Sequence, residues 1–63
     1  MPTIIVEAIE GRTVEQKRNL CHDFTDAVVK HFKVRPDQVT IIIHDLELEN
    51  VAKNGTLFSD SRP

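Results

Sequence analysis

Two runs of β-branched residues flank one long amphipathic stretch, and this order constrains the fold more than any other feature of the sequence. Residues 2–9 and 39–46 have the composition of strands. Between them, apolar residues recur at three- and four-residue steps, which predicts one helix over residues 14–33. Strands joined by such a helix are parallel, with a right-handed crossover. The sequence therefore predicts a single α+β domain over residues 1–63, built on a short β-α-β unit.

The segment boundaries carry their own signals. Thr13 and Gln16 have the spacing of a capping box at the start of the helix. Arg35-Pro36 is expected to end the helix, because the residue before a proline is pushed out of the helical region. Asn54-Gly55 is a strong turn signal between Val51-Ala52 and Leu57-Phe58, so we expect a small hairpin or an arm there.

The first strand has apolar residues on both of its faces. Ile4 and Val6 share one face, and Ile5 and Ile9 share the other. One helix covers only one face, so the second face calls for another subunit. A chain of 63 residues buries too little surface to be comfortably stable alone, and Cys21, its only cysteine, forms no internal disulfide. Oligomerisation is therefore the expected way to complete the core.

Composition excludes several classes of function. The formal net charge of −2 and the pI of 5.8 do not favour nucleic-acid binding, which calls for a basic patch. No apolar run reaches the roughly 20 residues that span a bilayer. A lone cysteine and no N-terminal export signal predict a cytoplasmic protein. The three histidines have no cysteine partners at zinc-site spacing, so no metal is expected.

Pro2 is the residue with the clearest catalytic potential. Removal of Met1, which is common before a small second residue, would leave Pro2 as a free secondary amine. An α-amino group has a pKa of about 7.7 to 8.0, and a base near the working pH is the useful kind. The same amine could attack a carbonyl and form an iminium. The simpler interpretation is that proline merely begins the strand, where it is acceptable.

Arg12 follows the first strand and is a candidate for binding a carboxylate, because its guanidinium offers a bidentate fork. The strand would separate Pro2 and Arg12 by about 25 Å or more, so they are expected to meet only between chains. The commoner role for such an arginine is a solvated loop position. His44 and Asp45 are neighbours on a strand and should point to opposite faces. We interpret His44 as a surface or interface residue, and Cys21 as a partly buried thiol.

The opening of the chain and the segment Glu-Gly-Arg-Thr-Val-Glu-Gln-Lys at residues 10–17 resemble the 4-oxalocrotonate tautomerase family of the tautomerase superfamily. The resemblance covers nearly the whole chain. It implies β-α-β subunits that assemble as hexamers, usually a trimer of dimers. It implies that Pro2 is a general base or acid and that Arg12 binds a substrate carboxylate in a neighbouring subunit's site. It also implies an isomerase that uses no cofactor or metal.

The family reaction implied by this resemblance converts a small 2-hydroxy-dienoate into its keto isomer, as with 2-hydroxymuconate in aromatic catabolism. The sequence departs from the family pattern at two positions. Thr40 stands where a second arginine is usual, and Val51 where a phenylalanine is usual. Without an arginine at position 40, the loss of a charged hydrogen bond to the substrate would cost about 1.5 to 3 kcal/mol of binding free energy. Arg35 and Arg62 are candidates to replace the missing cation.

Two other functions stay open at this point. The chain could be a dehalogenase or hydratase of the same superfamily, acting on unsaturated acids. Pro2 would then act as an acid, and Glu47 or Glu49 would activate water. Alternatively, it could be a poorly active subunit of a hetero-hexamer rather than of a homo-hexamer, which the threonine at position 40 favours.

Overall fold

The structure is a computed structural model and describes residues 1–61. Two parallel strands joined by a long helix form the main unit, and a small hairpin with a short final helix follows it. A 3-10 turn at Pro36–Gln38 leads into the second strand, and another at Leu48–Asn50 follows it. The remaining elements, in chain order, are β1 (Thr3–Ile9), α1 (Val14–Phe32), β2 (Thr40–Leu46), β3 (Ala52–Lys53), β4 (Thr56–Leu57) and α2 (Phe58–Ser61).

β1 and β2 pair in parallel, which confirms the predicted β-α-β unit. The register runs from Thr3 opposite Thr40 to Ile9 opposite Leu46. One more hydrogen bond extends the ladder at each end. The Thr40 amide donates to the Pro2 carbonyl at 2.9 Å, and the Glu10 amide donates to the Leu46 carbonyl at 2.9 Å. Each strand begins one residue later than the sequence pattern predicted.

The two ends of α1 are closed by different devices. At its start, the predicted capping box is present: the Gln16 amide donates to Thr13 Oγ1 at 3.1 Å, and the Thr13 amide donates to Gln16 Oε1 at 2.9 Å. At its end, Lys33 adopts a left-handed conformation with φ 58°, and its amide donates to the Val29 carbonyl. α1 thus ends at Phe32, within one residue of the predicted end, and the left-handed Lys33 rather than Arg35-Pro36 closes it.

The predicted hairpin at Asn54-Gly55 is confirmed. Both residues have positive φ values, 57° and 80°, as a two-residue hairpin turn requires. β3 and β4 pair antiparallel on either side of the turn. The Phe58 amide then donates to the Val51 carbonyl at 2.9 Å. This bond fixes the start of α2 beside the end of the 3-10 turn at Leu48–Asn50.

Residues 1–61 of a single chain enclose no core of their own. None of the described residues is fully buried, and the Cα radius of gyration is 15.1 Å. A compact domain of this length would have a radius of about 11 Å. Ile4, Val6 and Ala8 on the helix-facing side of β1 are half-buried, whereas Ile5 on the other side is 59% exposed and its partner Ile42 is 40% exposed. The sheet therefore has one covered face and one open face, as the alternation in the sequence predicted.

Within residues 1–61, neither α-helix combines the length and apolar character that a membrane-crossing helix requires.

Candidate functional site

Pro2 is anchored at the amino end of the sheet. Its carbonyl accepts the Thr40 amide, and the residue is half-buried. Met1 lies outside β1 and is 89% exposed. The chain is thus held in place from Pro2 onward, and the fold does not depend on Met1.

Thr40 lies directly beside Pro2 in the same chain. It is the first residue of β2 and is paired in register with Thr3. The departure from the family pattern therefore falls at the Pro2 end of the sheet. No charge enters this end from position 40, because the threonine side chain offers only a hydroxyl group.

Arg35 also lies at the Pro2 end of the sheet, in the turn that leads into β2. Its Nε donates to Asp37 Oδ1 at 3.2 Å, and both side chains are exposed. The guanidinium is thus partly neutralised by a carboxylate of its own turn. Arg62, the other cation suggested as a replacement for an arginine at position 40, lies outside the described residues.

Arg12 lies at the opposite end of the sheet, in the loop between β1 and α1. Its Nη1 donates to the Ile9 carbonyl at 2.7 Å, which holds the exposed guanidinium against the last residue of β1. Arg12 forms no ion pair with any residue from 1 to 61. A guanidinium has five N–H donors, so this one keeps donors free for a carboxylate.

One chain does not bring Pro2 and Arg12 together. The seven residues of β1 lie between them and span about 23 Å at the rise of an extended strand. A site that uses both side chains therefore has to draw them from two copies of the chain.

A cleft of about 80 Å³ opens beside Arg12 between α1 and the sheet. Its base is apolar, and its rim carries the charged groups. On the rim, Lys17 Nζ lies 2.5 Å from Asp45 Oδ2. The residues that line the cleft are Val6, Ala8, Arg12, Gln16, Lys17, Leu20, Ile43 and Asp45.

The Lys17–Asp45 pair was not predicted from the sequence. The two residues are 28 positions apart, and Lys17 reads as one of several polar residues of α1. One signal was available: the predicted strand alternation puts Asp45 on the opposite face from His44. Asp45 is paired with Ala8, whose side of β1 faces the helix. A carboxylate on that side lies within reach of cationic side chains of α1.

His44 lies on the open face of the sheet. Its Nδ1 is 3.2 Å from Oε1 of Glu7, its in-register partner on β1. His44 and Asp45 thus point to opposite faces, as predicted. Cys21 is a free, half-buried thiol on α1, in keeping with the structural role expected for it.

Three carboxylates gather near the carboxyl end of β2. Glu10, Glu47 and Glu49 line a shallow recess together with Leu48 and Ser59. A hydrogen bond with Glu49 raises the pKa of the Glu47 carboxyl, and the negative charges of Glu49 and Glu10 raise it further. Glu47 therefore holds its proton to a higher pH than an isolated glutamate does.

Comparisons with known proteins agree along almost the full length of the chain. The family model described as tautomerase enzyme matches residues 2–61. A probable tautomerase of Bradyrhizobium diazoefficiens is 43% identical over 58 residues, which are 92% of this chain and 87% of that protein. The 2-hydroxymuconate tautomerase of Bacillus subtilis is 35% identical over 60 residues, 95% of this chain and 97% of that one.

Solved structures show the same architecture. A structure from work on the 4-oxalocrotonate tautomerase isozymes of Methylibium petroleiphilum has a TM-score of 0.87 and 46% identity, covering 94% of this chain and 92% of that one. A heterohexamer 4-oxalocrotonate tautomerase from Chloroflexus aurantiacus also has a TM-score of 0.87, with 26% identity over 98% of this chain and 100% of that one. These likenesses confirm the predicted fold class.

Proposed function

The chain belongs to the tautomerase enzyme family, and from that premise we propose that it interconverts the enol and keto forms of small 2-hydroxy-dienoates or 2-keto acids. It is an isomerase of the tautomerase type. The observation that carries the proposed chemistry is the anchoring of Pro2. The Thr40 amide holds its carbonyl at the sheet end, and Met1 is free of the fold.

Pro2 is the proposed general base and acid. Once Met1 is removed, its nitrogen is a secondary amine with a reference pKa of about 7.7 to 8.0, close to neutrality. The neutral amine takes the proton of the 2-hydroxyl group as that oxygen becomes a ketone. The resulting ammonium then returns a proton to a carbon of the diene. One O–H bond is broken and one C–H bond is formed, so the amine is regenerated and no cofactor is consumed.

Arg12 of a second copy is the proposed substrate-binding residue. Its unpaired guanidinium can hold a carboxylate by two parallel hydrogen bonds, which fixes the substrate relative to the Pro2 nitrogen. The length of β1 supports this sharing between copies, because it keeps Pro2 and Arg12 of one chain apart. The 2-hydroxymuconate tautomerase named among the relatives makes 2-hydroxymuconate the first substrate to test.

The proposed assembly is a homo-hexamer built as a trimer of dimers, in which other copies cover the open face of the sheet. The exposure of Ile5 and Ile42 supports this proposal, because apolar groups on a regular sheet face gain stability when they are covered. A hetero-hexamer is the alternative, and the heterohexamer from Chloroflexus aurantiacus supports it. Native mass spectrometry of the chain purified alone separates the two: a clean hexamer removes the need for a partner chain.

The first experiment is ketonisation of 2-hydroxymuconate by the Met1-free protein, with intact mass confirming that Pro2 is the first residue. We expect Pro2→Ala to lower kcat/KM by about 100-fold, at the lower end of general acid–base contributions, since an amine remains. Pro36→Ala is the matched control, because Pro36 begins the exposed turn before β2 and is not part of the proposed site. Its kcat/KM should stay at the wild-type value.

Equal background rates in the wild-type protein and Pro2→Ala would overturn the assignment to this substrate. Hydration or dehalogenation of unsaturated acids would then be assayed next. In that case Glu47→Gln and Glu49→Gln would test which carboxylate activates water. This alternative stays a prediction from the sequence.

A further inference from the structure

The cleft beside Arg12 combines an apolar base with a charged rim. Val6 and Ile43 belong to its base, from the covered face of the sheet. Among residues 1–61, the cationic groups that line it are Arg12 and Lys17, and the one carboxylate is Asp45. An organic acid with an apolar body fits such a surface, because the body packs on the base while its anionic end meets the cations at the rim.

The two cations of the cleft are not equivalent. Lys17 is bound to Asp45 at 2.5 Å, and the pair is partly shielded from water, with the two side chains 30% and 43% exposed. Within the part of the chain that the structure describes, Arg12 donates only to a neutral carbonyl, that of Ile9. Lys17 is therefore already neutralised by its partner, and the cleft as a whole carries the charge of one cation.

We propose that Asp45 is a specificity-determining residue that limits this cleft to one negative charge. The substrate end bound beside Arg12 is then a lone carboxylate, and a dianionic group such as a phosphoryl or phosphonate group is disfavoured. The inference rests on the proposed function, since it treats the Arg12 cleft as one end of the substrate site. Asp45 acts through Lys17 and is distinct from the proposed proton-transfer residue.

Replacing Asp45 by asparagine keeps the side-chain size and releases Lys17 for a ligand. The probes are hexanoate, with charge −1, and pentylphosphonate, which approaches charge −2 at pH 8.5. NMR titration of the purified assembly, following the side-chain resonances of Arg12, gives a Kd for each probe. We expect Asp45→Asn to tighten hexanoate binding by about two- to fivefold, the range for a partly exposed unit charge. Pentylphosphonate should gain more, roughly the square of that factor, because it carries about twice the charge.

Two further variants separate charge from structure. Asp45→Asn combined with Lys17→Met restores the local charge, so both Kd values should return to those of the wild-type protein. Asp26→Asn is the matched control, because it makes the same chemical change on α1 at a side chain that pairs with His22. It should leave both Kd values unchanged.

Several results would overturn the proposal. Unchanged binding of both probes in Asp45→Asn would show that Asp45 does not set the charge of the cleft. Weaker binding of both probes in Asp45→Asn and in the double variant would show that the Lys17–Asp45 pair only ties α1 to the sheet. Equal gains in affinity for the two probes would show that the cleft does not discriminate between ligands by their charge.

The probes are unreactive, so the test does not depend on turnover. Ketonisation of 2-hydroxymuconate is measured separately in the same preparations. The expected probe shifts without ketonisation by the wild-type protein would support the role of Asp45 in setting the charge of the cleft and would overturn the assignment to 2-hydroxymuconate. Ketonisation by the wild-type protein, with no probe shifts in Asp45→Asn, would support the proposed reaction and overturn the role of Asp45.

Discussion

The two ends of the β1–β2 ladder differ in the exposure and in the charge of the candidate site residues that they hold. At the amino end, Pro2 is half-buried and held by a backbone hydrogen bond, and its neighbour Thr40 is uncharged. At the carboxyl end, Arg12 is exposed, and the Lys17–Asp45 ion pair lies beside it. The amino end thus holds Pro2 beside an uncharged residue, whereas the carboxyl end holds the cleft with Arg12 and the Lys17–Asp45 pair.

On the proposed function, this separation means that a 63-residue chain carries both proposed site residues without bringing them together. The neutral, basic form of an amine is favoured where its charged form is poorly solvated. An anion, in contrast, is bound best where cations are available. A single extended strand keeps these two environments apart. Parallel pairing within the chain cannot bring them together, because it places like ends side by side. Only a second copy can bring one end of a chain to the other end of its neighbour.

Mixing two impaired variants tests whether the two ladder ends of a site come from different copies. Arg12→Ala should lower kcat/KM by about 10- to 100-fold, the loss of a charge-assisted hydrogen bond. Pro2→Ala chains and Arg12→Ala chains each carry one lesion. When they are unfolded and refolded together at equal amounts, about one site in four of a symmetric assembly receives both native residues. The 2-hydroxymuconate assay should then recover about a quarter of the wild-type activity.

The two variants refolded separately and then combined without exchange are the control, and they should show no recovery. No recovery after co-refolding, with mixed assemblies verified by native mass, would place both residues in one subunit's site. That outcome would contradict the assignment of the two ladder ends to different copies.

The ends of α1 provide a second comparison, since they lie at opposite ends of the same ladder. Thr13→Ala removes the cap beside Arg12 and should lower the free energy of unfolding by about 1 kcal/mol. Lys33→Gly removes the steric cost of a left-handed conformation, because glycine has no Cβ. It should raise the free energy of unfolding by about 1 kcal/mol. Urea denaturation at fixed protein concentration measures both changes. Shifts of the same sign would show that the two helix ends are not closed as described.

The smallest expected effect is a pH dependence confined to the charged end. The raised pKa of Glu47 means that the folded chain binds its proton more tightly than the unfolded chain does. Stability from this group is therefore lost as the pH rises from the ordinary value of 4.5 through the raised folded value. Glu47→Gln should flatten this slope in urea midpoints measured between pH 4 and about pH 7. Ser59→Ala, at the same recess but without a titratable group, should leave the slope unchanged.

Local patterns predicted most of the fold. Thr13 and Gln16 specify the start of α1, and Asn54-Gly55 specifies the hairpin, because these residues act through bonds to near neighbours. The end of α1 was predicted to within one residue, but its left-handed cap at Lys33 was not, because glycine or asparagine usually occupies such a position. The arrangement of the backbone was thus accessible from short-range chemistry.

The candidate site was less accessible, because it depends on contacts between distant segments. Pro2 and Arg12 could be singled out by chemistry and by resemblance, but their separation depends on how chains assemble. Lys17 and Asp45 required the β1–β2 register and the placement of α1 over one face. The alternation of a strand predicts which face a carboxylate lies on. It does not predict which side chain of the helix that carboxylate contacts.

The exposure of Met1 has a consequence for the production of this protein. An affinity tag left in front of Pro2 would hardly disturb folding, because Met1 is 89% exposed and lies outside β1. On the proposed mechanism it would turn the proline nitrogen into an amide, which has no basic lone pair. A tagged preparation would pass every test of folding and still be inactive, so the tag belongs at the other terminus.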